Sequence, residues 1–170
     1  MDLVEALATA INYETKVRDH YKAGVEQILS PAGKKVFQVL AQEEERHLEY
    51  LLSRQEEWYK KGHMANPELP TVLPSREALD RAMKSLPSTA SPVLASSGEL
   101  ELLKIALDLE RKTSGFYQQL VRELPPNYQP LFSRFLDIEQ GHLAIVQAEI
   151  DALAGHGHWF DFMEFDLEAG

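Results

Sequence analysis

Two short motifs, Glu44-Glu45-Arg46-His47 and Glu139-Gln140-Gly141-His142, place a carboxylate and an imidazole three residues apart. On a helix that spacing puts both groups on one face, where they can grip a single cation together. One such pair means little in a chain with 19 glutamates and 6 histidines, and its ordinary setting is a solvated helix face. Two pairs at corresponding positions of an internal repeat mean more. Ala10-Ile11-Asn12-Tyr13-Glu14 with Tyr21 matches Ala106-Leu107-Asp108-Leu109-Glu110 with Tyr117, and Phe37, Leu40, Glu44, His47, Leu48 match Phe132, Phe135, Glu139, His142, Leu143. Glu14 and Glu110 therefore join the two pairs as candidate ligands.

Four helices must position these groups. The first, from about Asp2 to Leu29, carries Leu3, Leu7, Ala10, Glu14, Val17, Tyr21, Val25 and Ile28 on one face at alternating steps of three and four. Ser30 and Pro31 read as the cap and first residue of a second helix, with Phe37, Leu40, Glu44, His47, Leu51 and Trp58 on its stripe, fraying near Gly62. Residues 62–97 hold Pro67, Pro70, Pro74, Pro87 and Pro92, which makes them a long connection, with a short helix expected over Ser75 to Met83. Ser96 with Glu99 forms a capping-box pattern opening a third helix with Leu103, Leu107, Glu110, Ser114, Tyr117, Val121 and Leu124 inside. Pro125-Pro126 breaks it, and a fourth helix carries Phe132, Phe135, Glu139, His142, Val146 and Leu153 to a terminal Gly155.

The expected fold is all-α. A four-helix bundle spans 1–155, with one long crossover (62–97) between helices 2 and 3, followed by an aromatic C-terminal tail at 156–170. A helical solenoid is the alternative, but two repeats are too few for a stable one.

An inward glutamate in each of four helices is hard to explain by structure alone. An unpaired buried charge costs several kcal/mol, and the stripes hold no lysine or arginine. Four carboxylates and two neutral imidazoles sum to −4, which two divalent cations balance. Buried protonated or water-linked glutamates are the competing reading. The donor set of carboxylate and imidazole without sulfur suits iron first, with manganese or a mixed pair also open; structural zinc favours sulfur or more histidine, and calcium avoids nitrogen.

The arrangement Glu14 … Glu44-x-x-His47 … Glu110 … Glu139-x-x-His142 resembles the ferritin-like di-iron carboxylate superfamily over about residues 1–155, and Tyr21 with Tyr117 brings it nearest the rubrerythrin-like branch. The resemblance implies that Glu14 and Glu110 are terminal ligands, that Glu44 and Glu139 bridge both metals, and that each histidine takes one. It also implies that Tyr21 and Tyr117 hydrogen-bond the carboxylates, although ordinary aromatic core is an equal reading of both. The implied activity is reduction of peroxide or dioxygen, of peroxidase or ferroxidase type, by a homodimer. Two departures stand out. The chain has no cysteine and so lacks a rubredoxin-type iron site, which implies an external electron donor. Thr113 stands where the family carries a further glutamate one turn past Glu110. Non-catalytic iron binding, delivery or sensing is the alternative function, and hydroxylation of an organic substrate a third.

Composition narrows the partners. A formal charge of −10 argues against nucleic acid and anionic membranes. No stretch approaches the roughly 18 apolar residues of a membrane span, and the acidic N-terminus is unlike a basic signal peptide. Absence of cysteine fits a cytoplasmic setting. Glu43, Glu45 and Glu101 read as solvated, although Glu43 or Glu45 can support a neighbouring helix, and His20 and His63 read as surface residues. His156 and His158 read as tail packing, with a secondary metal site as the alternative. The aromatic tail (Trp159, Phe160, Phe162, Met163, Phe165) needs an apolar surface to cover, either the bundle's end or a dimer partner.

Overall fold

A computed structural model describes residues 1–74, 78 and 97–154. Among these the chain forms four helices and no strand: α1 (Leu3–Gln27), α2 (Pro31–Lys61), α3 (Ser97–Glu123) and α4 (Gln129–Leu153). The expected short helix Ser75 to Met83 (apart from position 78), the Ser96 cap, Gly155 and the tail lie outside the described residues. No described helix is long and apolar enough to cross a membrane.

Local chemistry sets the helix ends. Asp2 caps α1 in a reciprocal capping box with Glu5, which satisfies two backbone donors that the helix leaves unpaired. The Ser30 hydroxyl accepts the Gly33 N–H at 3.1 Å, and Pro31, lacking an N–H, begins α2 as expected. Gly62 ends α2 at φ 68°, a left-handed conformation that glycine adopts without a Cβ penalty. Glu99, in the first turn of α3, is buried and accepts the Ser30 hydroxyl. Its carboxylate thus lies at the N-terminus of α2, where the helix dipole favours negative charge.

α1 packs along α2, α3 along α4, and α1 beside α3. Close approach of the first pair depends on Gly24, where a Cβ would overlap the Phe37 ring. The apolar core falls into two clusters. One contains Val17, Tyr21, Phe37, Leu40, Leu103, Leu107 and Val146; the other contains Leu7, Leu51, Tyr117, Leu120, Phe132 and Phe135. Every stripe residue expected on α1 is buried except Val25, which is half-buried while Gly24 takes the interior place. Beyond α2, Leu69 plugs into the second cluster and carries the connecting segment onto the bundle.

Candidate metal centre

The stripes do not stop at apolar residues. Glu14 lies between Ala10 and Val17 on α1, Glu44 and His47 between Leu40 and Leu51 on α2, and α3 and α4 repeat the pattern with Glu110, Glu139 and His142. All six side chains are 0% exposed. They converge as two overlapping groups that can hold a metal ion, Glu14–Glu44–His47–Glu139 and Glu44–Glu110–Glu139–His142, with ligand atoms within 4.8 Å of one another in each. Glu44 and Glu139 belong to both.

The distances give these shared carboxylates a particular disposition. His47 Nδ1 lies 3.0 Å from Glu14 Oε2, 3.3 Å from Glu44 Oε2 and 3.4 Å from Glu139 Oε1. His142 Nδ1 lies 2.9 Å from Glu44 Oε1, 3.6 Å from Glu110 Oε1 and 3.8 Å from Glu139 Oε2. Each shared carboxylate therefore turns one oxygen toward each histidine. The imidazoles themselves are stacked, 5.4 Å between centroids and 8° from parallel. Although His142 Nδ1 is close to Glu44 Oε1, it is not aligned as a hydrogen bond. Among the described residues, neither oxygen of Glu44 or Glu139 has a hydrogen-bond partner, nor has Glu110 Oε2, His47 Nε2 or either nitrogen of His142. Buried polar atoms are normally satisfied. So dense a group of orphaned donors and lone pairs fits a bound cation.

The tyrosines work crosswise. Tyr21 on α1 donates its hydroxyl to Glu110 on α3, and Tyr117 on α3 donates to Glu14 on α1. Burial, reinforced by the charge of Glu110 on Tyr21 and of Glu14 on Tyr117, pushes both phenols well above their ordinary range, so they remain donors. Tyr21→Phe and Tyr117→Phe are each expected to weaken cation binding about tenfold or more, because an outer hydrogen bond to a candidate ligand is lost. Stability should fall by about 1 to 3 kcal/mol in each. Cobalt(II) titration and thermal unfolding of the two variants measure both effects; unchanged affinity in both would assign the tyrosines to plain packing.

Without cations, protons carry the positive charge. Burial and the Glu44 charge raise Glu14 to about 8. Burial, with Glu14, Glu44 and Glu110 adding repulsion, pushes Glu139 well above the usual carboxylate range. Burial opposes protonation of His47, yet Glu44 and Glu14 bring it up to about 10; His142 is raised in the same way by Glu110 and Glu44. Burial would also raise Glu44, but the facing His47 and His142 hold it well below its ordinary value. A divalent cation placed here displaces protons.

Other expected residues fall differently. Glu43, read as solvated, is 0% exposed: it accepts Arg46 Nη1 at 2.6 Å, the Thr71 hydroxyl and the Val72 N–H at 3.2 Å. The reason is the connecting segment, which covers this flank of α2. The signal for it was Arg46 three residues on, a built-in counter-charge. Glu45 is half-buried and pairs with Lys22 and Arg18 of α1, and Glu101 and His63 are exposed. His20, read as a surface residue, is half-buried, with Nε2 2.9 Å from the Leu102 carbonyl. Its position one residue before buried Tyr21 turns it toward α3. Thr113 is buried and bonds back to the Leu109 carbonyl at 3.0 Å. Glu149, two turns past His142, is buried as well and was missed, although the phase of the fourth stripe contains it.

No family model, curated protein or solved structure matches this chain.

Proposed function

We propose that the chain is a di-iron oxidoreductase of rubrerythrin-like type, reducing peroxide or dioxygen with electrons from an external donor. The observation that carries this reading is the disposition of Glu44 and Glu139, each presenting its two oxygens to opposite histidines. Glu14 and His47 would hold one ion, Glu110 and His142 the other, and the shared pair would bridge them. Four carboxylates against two divalent ions leave the buried cage neutral, which removes the cost of burying charge. When bound, two adjacent irons supply the two electrons that cleave an O–O bond.

The chain's own part is to orient and enclose. Tyr21 and Tyr117 fix the terminal carboxylates through their hydroxyl protons. Phe135 lies edge-on to His47, its ring centroid 5.2 Å away, and walls that histidine with apolar surface. Carboxylates whose affinity for protons is raised by burial, Glu14 and Glu139, can take up protons at their oxygens as charge in the cage changes.

Metal analysis after loading is expected to give two equivalents of iron per chain. Rapid mixing of the diferrous protein with peroxide, and separately with dioxygen, should oxidise the metal faster than free Fe(II) in the same buffer. Two equivalents that show no turnover with either oxidant would instead identify a non-catalytic iron-binding protein.

A further inference from the structure

Glu43 is a buried carboxylate beside the cage that the ligand set leaves unused. One of its oxygens accepts from Arg46 and from the Val72 N–H, and the other from Thr71. With both oxygens occupied and its charge neutralised by an arginine, it is poorly suited to serve as a seventh ligand. Yet a carboxylate oxygen of Glu43, a ring nitrogen of His47 and a ring nitrogen of His142 all lie within 4.8 Å of one another. His47 Nε2 and His142 Nε2 are buried and have no hydrogen-bond partner among the described residues, as is also true of His142 Nδ1. The Nδ1 edges already face the carboxylates.

A ligating imidazole is normally held in orientation and tautomer through its second nitrogen, most often by a carboxylate, a carbonyl or a water. A separation of no more than 4.8 Å is within reach of a small side-chain shift or one bridging water. We propose that Glu43 is a positioning residue for the two histidines, and that through it Thr71 and Val72 of the segment after α2 become part of the metal centre. The inference rests on the di-metal reading above. It adds a coupling: because the segment seats on Glu43 and Glu43 seats the imidazoles, cation binding and seating of residues 69–73 reinforce each other, and that linkage is reciprocal.

The test uses cobalt(II) as probe on the full chain, Glu43→Gln and Thr71→Val. In the unaltered chain, two equivalents bind and amide exchange across 69–73 slows on loading. Glu43→Gln keeps shape and acceptor but loses the charge. It is expected to bind cobalt about 10- to 100-fold more weakly, with shifted visible absorption and without the slowing at 69–73. Thr71→Val removes one anchor without touching the core of α2. It should weaken binding less but also reduce that slowing, and it carries the test if Glu43→Gln does not fold. Normal affinity, an unchanged cobalt spectrum and undiminished slowing at 69–73 in the folded variants would overturn the role of Glu43 alone. Failure of the unaltered chain to bind cobalt would overturn the di-metal reading itself.

Discussion

Replacing Glu44 by glutamine is expected to abolish tight binding of both cations, and Glu139→Gln to do the same, whereas Glu14→Gln or Glu110→Gln should leave one equivalent bound. Glu44 and Glu139 occur in both ligand groups, while Glu14 and Glu110 each occur in one. Removing a shared carboxylate leaves the cage at −3 against +4 and takes an oxygen from each ion. Breaking a buried charge interaction of this kind costs about 3 to 5 kcal/mol, which is more than a hundredfold in affinity. Glutamine preserves volume, so the loss reports charge rather than packing. Metal analysis after desalting, with cobalt titration for affinity, separates the outcomes. If Glu44→Gln retains one tight equivalent as Glu14→Gln does, the carboxylate is terminal and the bridging arrangement fails.

The second large effect is on pH. In the ion-free chain Glu14 rises from 4.5 to about 8 and His47 from 6.5 to about 10. Between the ordinary and the raised value, the folded chain keeps a proton that the unfolded chain has released. Stability therefore falls as pH rises through each window. The contribution of His47 is complete below about 6.5 and gone once pH passes about 10; that of Glu14 is lost between about 4.5 and 8. Glu139 and His142, both raised, act in the same direction. Glu44, held low, works the other way and only below its ordinary 4.5. Cations require deprotonated ligands, so their affinity grows as the proton-held cage weakens. The gap between unfolding midpoints with manganese(II) and with chelator should widen by about 5 °C or more from about pH 5 to about pH 9. A constant gap would mean that the cage holds no protons for the cation to displace.

How much of this was legible beforehand depends on the kind of residue. The four stripes were readable because apolar spacing of three and four is a local property, and Ser30-Pro31 announced a helix start just as locally. Glu14, Glu44, Glu110 and Glu139 stood out because a carboxylate on such a stripe contradicts its neighbours, and the repeat made the contradiction occur twice. Glu43 was not readable in this way. Its burial depends on where residues 69–73 come to rest, which is a tertiary fact with no period in the sequence. His20 is similar: only the placing of α3 gives it the Leu102 carbonyl. The crosswise partnership of the tyrosines also needed the fold, since the sequence named no partner for either hydroxyl and the structure gives Tyr21 to Glu110 and Tyr117 to Glu14.

The division of the core into two clusters has a consequence for how the bundle comes apart. Helices in most bundles loosen from their ends, because the middle is the best-packed layer. Here the middle layer is the polar one, and the greasy plugs formed around Phe37 and around Phe132 lie on either side of it. An ion-free chain is therefore expected to be weakest at its waist, with amide exchange at mid-helix fast relative to the two apolar layers. Under the proposed reading, a pair of bound cations would turn that layer into a rivet joining all four helices at a single level, making ligand loading and cooperative unfolding two measures of one layer.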